Sequence, residues 1–341
     1  MTDLPPAIGA ALAQAPRHPI VTTPPPLNRH DRISDDLGID LWMKRDDLAG
    51  PSFGGNKSRQ LEYYLGAALA EGADTVLITG AVQSNFVRLA AATAAQAGLA
   101  AVVQLEERVD TDDPHYHQSG NVMLNHLLGA RIIRYPVGED ENGADAALYA
   151  EAERLKAVGK RPYVIPLGAD KPPLGALGYI RCIEELGQQD APVFDDIVVG
   201  SGSGATHLGV MAGVRLYRPG TRVTGSCVRR AEPLQRDRLL GMMPAFNDLL
   251  NTEGFLGEDD LDLWDGALAP GYGQISDAGA TAMALMAQLE GQMLDPVYTA
   301  KAFAGVVERA RNGAIAKGAK VLFIHTGGLA GLFAYQAQLM D

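Results

Sequence analysis

The sequence predicts an α/β, doubly wound fold, and two observations carry that prediction. Short apolar runs typical of strands alternate along the chain with longer helical runs. Several of the strand-like runs end in glycine, serine or threonine before the next helix begins. This rhythm is typical of βαβ units, in which helices join parallel strands. A chain of 341 residues has room for about two domains or one large α/β unit.

The predicted elements follow from this alternation. The expected strands are 41–44, 75–79, 101–105, 132–135, 163–166, 197–199, 222–228 and 321–325. The expected helices are 90–98, 121–129, 174–186 and 206–216. The proline-rich lead at 22–26 predicts an extended arm before the first ordered strand at 41–44. The segment 232–271 has the weakest periodicity and predicts loops and short helices, either near a site entrance or as a surface excursion.

Charge and composition exclude several classes of protein. The net charge of -12 argues against a nucleic acid or an anionic membrane as partner, so a small anion would need a local positive pocket. No apolar run reaches the length of about 18 residues that a membrane span needs. Residues 1–20 lack a basic start followed by an apolar run, so we expect no signal peptide and a cytoplasmic location. Cys182 and Cys227 form no metal or redox spacing and are expected to be buried packing residues.

Lys57 is the first candidate functional residue. It follows two glycines, Gly54 and Gly55, and begins a helical run, which would suit a lysine that forms a Schiff base with an aldehyde. An arbitrary lysine is usually a solvated surface residue, but a second motif favours the functional interpretation. At 200–206 a glycine and serine loop lies between an apolar strand and a helix, where N–H groups and the helix dipole can hold a phosphate. A lysine and a phosphate site together suggest pyridoxal phosphate.

Other motifs leave alternatives open. The loop at 200–206 is also compatible with a dinucleotide site, although the next strand ends in Arg229 and Arg230 and offers no carboxylate for a ribose. The triplet 83–85 either binds a ligand at a sheet edge or simply caps a helix. His115 and His117 lack a third ligand, so we expect a solvated loop and no metal.

Two further features complete the motifs. Ser201 and Ser203 carry only fragments of a nucleophile elbow. The buried strand that begins at Val321 stops at Thr326 and two glycines, so Thr326 could face a ligand.

Six motifs in order closely resemble one family. They are Lys57, the triplet 83–85, the loop 200–206, the segment 271–273, the segment 294–299 and the segment 325–328. The chain resembles the D-cysteine desulfhydrase and 1-aminocyclopropane-1-carboxylate deaminase family of fold-type II pyridoxal-phosphate enzymes, from about Pro24 to the C-terminus. The resemblance implies a tryptophan synthase β-like fold with two doubly wound domains. Residues 1–49 and 166–341 would form a large domain that binds pyridoxal 5'-phosphate, and residues 50–165 a small mobile one, in a homodimer.

The resemblance also implies roles for individual residues. Lys57 would hold the cofactor and move protons, and Asn85 would face the cofactor's phenolic oxygen. The phosphate would lie on the loop residues Gly202, Ser203, Gly204, Ala205 and Thr206. Thr326 would face the pyridine nitrogen. The substrate carboxylate would bind Ser84 and Gln83. Tyr272 and Tyr298 would line the substrate side, with Asn85, Phe86 and Thr299 among the residues near the substrate.

The implied reaction is β-elimination from a small β-substituted amino acid, with D-cysteine as the leading substrate and pyruvate, sulfide and ammonium as products. Thr299 favours this over 1-aminocyclopropane-1-carboxylate deaminase activity, because deaminases of the family typically have Glu there. An L-cysteate sulfo-lyase is a further alternative. The chain departs from the family at Phe86, at Ala205 and at the pair 169–170. If Phe86 and Asp170 closed the substrate pocket, the protein would be an idle binder of the cofactor.

Overall fold

The computed structural model describes residues 4–138, 140–168 and 171–340 and contains two sheets. The strands are Leu27–Arg29 (β1), Asp40–Lys44 (β2), Thr75–Ala81 (β3), Ala100–Glu106 (β4), Arg131–Tyr135 (β5), Pro162–Val164 (β6), Asp196–Ser201 (β7), Arg222–Cys227 (β8), Asp262–Trp264 (β9) and Lys320–Ile324 (β10). Six strands form one sheet in the order β1-β2-β10-β7-β8-β9, and four form the other in the order β5-β4-β3-β6. The α/β class with parallel-type sheets is therefore confirmed.

The α-helices lie before, between and after these strands. They are Pro6–Gln14 (α1), Asp31–Leu37 (α2), Asn56–Ala70 (α3), Asn85–Gln96 (α4), Pro114–Gln118 (α5), Gly120–Leu127 (α6), Glu141–Ala157 (α7), Leu177–Gln188 (α8), Ala205–Tyr217 (α9), Glu232–Leu249 (α10), Asp277–Glu290 (α11), Thr299–Arg311 (α12), Leu329–Leu332 (α13) and Gln336–Met340 (α14). Short 3-10 turns lie at Asp46–Leu48, Leu174–Ala176, Glu258–Asp260 and Phe333–Tyr335. Among the described residues, we find no helix with the length and apolar character to cross a membrane.

Helices cover both faces of the six-stranded sheet. Ile197 of β7 packs in one core with Ile180 of α8 and Leu208 of α9. The next residue, Val198, points to the other face and packs with Phe303 of α12. Because side chains alternate along a strand, one apolar run serves two cores. This is the doubly wound arrangement that the alternation of elements predicts.

The four-stranded sheet lies within residues 75–164, and all its strands are parallel. Every residue of β3 is buried, which is typical of a central parallel strand covered on both faces. In the six-stranded sheet only β1 runs antiparallel to its neighbour. The division into domains at residues 50 and 165 stays a prediction.

The structure corrects two expectations about the elements. The first strand is not the one at 41–44, because β1 begins directly after the proline-rich lead and α2 lies between β1 and β2. The segment expected to hold loops and short helices contains the 18-residue helix α10. Gly241 and Pro244 obscure its helical pattern, yet Leu239, Met243 and Phe246 form a buried stripe that packs into the core of the larger sheet. Tertiary packing, and not local helix propensity, therefore stabilises this helix.

Candidate active site

One cavity of about 1110 Å³, including its open mouth, gathers most of the predicted site residues. Strands of both sheets deliver residues to its wall at their carboxyl ends. Ala81 and Glu106 end β3 and β4, Gly200 lies near the end of β7, and Val228 follows β8. Ligands of open parallel sheets bind at this edge.

Eleven of the predicted residues line the cavity and three do not. The lining includes Lys57, Ser84, Asn85, Phe86, Gly202, Ser203, Gly204, Thr206, Tyr272, Tyr298 and Thr326. Gln83 and Thr299 are buried beside it. Ala205 lines a smaller adjoining recess. The departure at Ala169 and Asp170 lies outside the described residues.

Lys57 is the second residue of α3, and the backbone before it has little freedom. Gly55 caps the helix at φ 128, a conformation that favours glycine, and a Cβ there would lie 3.1 Å from the Thr326 carbonyl oxygen. The Asn56 N–H donates to that same carbonyl at 3.0 Å. The start of α3 is therefore tied to the end of β10, which brings Lys57 and Thr326 into one cavity.

A buried ionic network fixes the first turn of α3. Arg59 donates to Asp46 at 2.7 Å and to Glu185 of α8 at 2.7 Å. Lys44 joins the network through Glu185 at 3.0 Å. Lys44 does not pair with the two carboxylates that follow it in sequence, because Asp46 pairs with Arg59 and Asp47 pairs with Arg45. Lys44 connects β2 to α8 through Glu185, whereas Lys57 lines the cavity.

The environment of Lys57 suits a reactive amine. Its Nζ lies 4.9 Å from the centre of the Phe86 ring. Burial lowers the pKa of the Lys57 ammonium to about 8. At about pH 7.5 such an amine is roughly one quarter neutral, compared with about 0.1% for an ordinary lysine. Phe86 forms part of the wall beside the amine and leaves the cavity open.

Ser84 and Asn85 present polar side chains from the N-terminus of α4. Ser84 is the N-cap, and its Oγ accepts from the Val87 N–H at 3.3 Å. The residue that caps the helix also lines the cavity. The capping role is therefore compatible with the predicted contact between this triplet and a ligand, which stays a prediction. The Asn85 Oδ1 accepts from Asn121 at 3.1 Å, which orients its amide.

Gln83 points away from the cavity lining. Its amide nitrogen donates to the carbonyl oxygens of Tyr116 at 2.6 Å and Ser119 at 3.1 Å, and its oxygen accepts from the Asn121 N–H at 2.9 Å. These bonds occupy both ends of the amide. In this conformation Gln83 braces the segment that orients Asn85, and its predicted contact with substrate stays a prediction.

The loop before α9 leaves a helix N-terminus open to the cavity. Gly204 is the N-cap at φ 106, and no side chain caps the helix. A Cβ on Gly204 would come within 2.7 Å of the Met242 Sδ. A helix end of this kind offers N–H groups and a positive dipole to an anion.

Thr206 adds a hydroxyl donor at the same place. Its Oγ1 accepts from the side-chain amides of Asn56 at 2.9 Å and Gln60 at 2.7 Å. A hydroxyl has two acceptor positions and one proton. Both acceptor positions are filled, so the proton is left to donate to a group in the cavity. These residues fit a phosphate.

Tyr272 and Tyr298 form one wall, and their hydroxyl groups are hydrogen-bonded to each other. Their rings meet edge to face with centres 6.0 Å apart. Thr299 does not reach this wall, because its hydroxyl donates to the buried Asp295 at 2.7 Å. Asp295 also accepts from the Tyr298 N–H at 3.0 Å, so Thr299 and Asp295 together fix the backbone beside Tyr298.

Charged residues complete the cavity lining, and most of them were not identified from the sequence. Glu106 and Arg108 at the end of β4, Glu141 of α7 and Arg238 of α10 come from three segments that only the fold brings together. Arg229, which lies just after β8, pairs with Glu141 at 2.7 Å. The dinucleotide interpretation has no support in this geometry.

Two other candidates lie away from the chemistry. His115 and His117, which were expected in a solvated loop, belong to the short helix α5. Tyr116, between them, is buried. No metal-binding cluster occurs among the described residues. Ser201 is buried, and its Oγ is bonded to His207 at 3.1 Å and to Gln235 at 3.0 Å. Cys182 and Cys227 are free and buried, as expected.

Comparison with known proteins places the chain among enzymes. Residues 20–327 match the family model described as pyridoxal-phosphate dependent enzyme. A D-cysteine desulfhydrase of Yersinia enterocolitica is 40% identical over 96% of this chain and 98% of its own length. A D-cysteine desulfhydrase of Salmonella choleraesuis is 41% identical over 95% of this chain and 97% of its own.

Among solved structures, a homologue of 1-aminocyclopropane-1-carboxylate (ACC) deaminase is similar throughout. It is 36% identical and superimposes with a TM-score of 0.87, covering 99% of each chain. The predicted resemblance, the fold-type II architecture and the pyridoxal phosphate cofactor are thereby confirmed.

Proposed function

This chain belongs to the pyridoxal-phosphate dependent enzyme family, and we propose that it catalyses β-elimination from a small amino acid that carries a leaving group on Cβ. D-cysteine is the leading substrate, which water and the enzyme would convert to pyruvate, sulfide and ammonium. The observation that carries this proposal is the lowered pKa of Lys57, about 8, in a cavity that also holds an open helix N-terminus. The names of the two desulfhydrase relatives support the choice of substrate.

Residues from four parts of the chain would share the binding of pyridoxal phosphate. Lys57 would hold it through Nζ from the start of α3. The N-terminus of α9, from Gly202 to Thr206, would hold the phosphate through N–H groups and the Thr206 hydroxyl. Asn85 would face the phenolic oxygen, and Thr326 the pyridine nitrogen. When bound, the cofactor supplies an aldehyde that bonds to amines and a conjugated ring that accepts electrons from Cα.

Lys57 would then act as the general base that takes and returns a proton. As a free amine, the Lys57 Nζ would take the Cα proton, because burial keeps a substantial fraction of this amine neutral near physiological pH. Loss of the Cα proton and departure of the Cβ substituent with its bonding electrons are the two halves of the elimination. Lys57 can return its proton to the departing group or to Cβ.

The substrate would be oriented by its carboxylate. Ser84 and Asn85 lie at the N-terminus of α4, where N–H groups and the helix dipole favour an anion. The Cβ substituent would then face Tyr272 and Tyr298, whose hydroxyls are tied together. A fixed orientation of this kind removes most of the entropic barrier to reaction.

Two features argue against the other functions considered. Phe86 lines the cavity without closing it, which removes one of the two conditions for an idle cofactor binder. Thr326 offers a neutral hydroxyl where a carboxylate would hold the pyridine nitrogen protonated. A weak electron sink suffices for elimination, because the leaving group carries electrons away, but not for opening an unactivated cyclopropane ring.

A substrate panel tests this proposal. We expect the wild-type holoenzyme to release pyruvate and sulfide from one enantiomer of cysteine and pyruvate from β-chloroalanine. We expect negligible 2-oxobutyrate from 1-aminocyclopropane-1-carboxylate. Efficient 2-oxobutyrate release without turnover of any β-substituted alanine would assign the protein to the deaminases instead. The homodimer and the cytoplasmic location stay predictions of the sequence.

A further inference from the structure

Lys301 is a buried lysine that the proposed reaction does not use. It is the third residue of α12, and its side chain is buried. Its Nζ donates to the carbonyl oxygens of Leu268 at 3.0 Å and Gly271 at 2.6 Å. Burial lowers the pKa of the Lys301 ammonium to about 8, although the Asp295 carboxylate opposes this shift. Burying an ammonium costs free energy, so the groups that Lys301 holds indicate its role.

Both carbonyl groups belong to the loop that carries Tyr272. This loop joins β9 to α11, and its residues 265–276 form no helix or strand. Gly271 directly precedes Tyr272, so Lys301 holds the peptide group that connects these two residues. A segment outside regular secondary structure has few bonds of its own to fix it. A bond from α12 therefore limits the motion of this loop.

A second buried side chain holds the other side of Tyr272. The Tyr335 hydroxyl, in the short 3-10 turn after α13, donates to the Gly273 carbonyl at 2.7 Å. Gly271 and Gly273 are the two neighbours of Tyr272 in the chain. Neither Lys301 nor Tyr335 is among the described residues that line the cavity. The backbone of Tyr272 is therefore held on both sides by donors that lie behind the cavity wall.

Lys301 also connects this loop to Tyr298. Tyr298 is the N-cap of α12, and its carbonyl accepts from the N–H of Ala302, the residue after Lys301, at 2.9 Å. The same helix therefore positions Tyr298 directly and Tyr272 through the bonds of Lys301. The hydroxyl groups of the two tyrosines are hydrogen-bonded to each other, and such a bond weakens steeply when its geometry changes.

We propose that Lys301 is a positioning residue for the elimination and that it acts through Tyr272. Together with Tyr335, it holds the Tyr272 hydroxyl against the Tyr298 hydroxyl, so that the pair keeps a fixed place on the substrate side of the cavity. This inference rests on the proposed function, in which the Cβ substituent faces this pair. A displacement of about 1 Å in groups that orient a substrate can lower the rate about a hundredfold.

Steady-state kinetics on the holoenzyme test the role of Lys301. Lys301→Met keeps most of the length of the side chain and removes its N–H donors. We expect kcat for pyruvate release from cysteine to fall about 10- to 100-fold, with KM and cofactor retention close to those of wild type. The matched control is Ser226→Ala, which removes another buried bond to α12, from the Ser226 hydroxyl to the Ala302 carbonyl at 3.2 Å. It should lower thermal stability and leave kcat unchanged.

A double-mutant cycle separates positioning from a general structural effect. Tyr272→Phe removes the hydroxyl that Lys301 would position, and it should itself lower kcat. In that background Lys301→Met should lower kcat by less than about threefold further, because its effect passes through the missing hydroxyl. Tyr335→Phe, which removes the other bond beside Tyr272, should behave in the same way and replaces Lys301→Met if that variant does not fold. Equal losses of kcat in both backgrounds would overturn the positioning role, as would an unchanged kcat in Lys301→Met or in Tyr272→Phe.

Hydrogen exchange of the holoenzyme separates this inference from the proposed function. In Lys301→Met, amide exchange within residues 265–276 should become faster, whereas in Ser226→Ala it should not change. Turnover of cysteine by Lys301→Met with unchanged exchange and unchanged kcat would overturn the positioning role and leave the proposed function standing. Faster exchange in this loop, in a protein that turns over no β-substituted alanine, would overturn the proposed function and leave the link between Lys301 and the loop.

Discussion

Two of the helix N-termini at the cavity differ in how their free N–H groups are satisfied. At α4 the N-cap Ser84 uses its own side chain to accept from the Val87 N–H. At α9 the N-cap Gly204 has no side chain, and the helix end stays open. The first end can orient its side chains without a ligand, whereas the second needs an external anion to complete it. This difference predicts which end holds the cofactor and which end holds the substrate.

Closing the open end should have the largest effect. Gly204→Ala places a Cβ 2.7 Å from the Met242 Sδ, on a backbone at φ 106 where strain costs about 1–3 kcal/mol. We expect the variant to lose its cofactor on dialysis. Gly98→Ala is the control, because Gly98 also has a positive φ of 72 but has nothing within 4 Å. If the two variants retained cofactor equally, the phosphate would not lie at α9.

Removing hydroxyl donors at the same end should have an intermediate effect. Thr206→Val and Ser203→Ala should each weaken cofactor affinity about five- to a hundredfold, since a buried group without its hydrogen bond costs about 1–3 kcal/mol. Dialysis followed by absorbance measures the loss. Thr221→Val, which removes a hydroxyl bonded to the Phe194 carbonyl at 2.8 Å, should not change retention. Unchanged retention in the double variant would move the phosphate elsewhere.

The capped end should show the smallest effect and a different one. Ser84→Ala should lower the free energy of unfolding by about 1 kcal/mol through loss of the cap and should also raise KM. Ser276→Ala removes an equivalent cap at α11, where the side chain accepts from the Gly279 N–H at 3.1 Å, away from the cavity. It should lower stability by a similar amount and leave KM unchanged. An unchanged KM in Ser84→Ala would restrict Ser84 to capping.

The sequence predicted the parts of this site that lie close together along the chain. Lys57 follows its glycines, and the phosphate loop lies between a strand and a helix, so local patterns identify both. The charged residues of the cavity lining escaped prediction because Arg108, Glu141 and Arg238 come from three segments that are distant in sequence and meet only in the fold. Gln83 and Thr299 show a second limit of the sequence, which identifies their positions but not the directions of their side chains. Their positions match the family, but their side chains bond to Tyr116 and Asp295, and only the packing decides that direction.

The secondary structure was likewise predicted only where the local sequence pattern is clear. Alternating runs predicted the parallel sheets, because buried strands have a clear apolar pattern. Helix α10 was missed because Gly241 and Pro244 interrupt its pattern, while contacts distant in sequence stabilise it.

The most direct test compares two lysines. Lys57→Ala should abolish both the cofactor's visible absorption band and pyruvate release from cysteine, because Lys57 would supply the amine in the cavity. Lys44→Met should lower the free energy of unfolding by about 1–3 kcal/mol, because it removes the buried ammonium that donates to the Pro25 carbonyl and pairs with Glu185, and it should keep the band. Loss of the band in Lys44→Met with full retention and activity in Lys57→Ala would contradict the account.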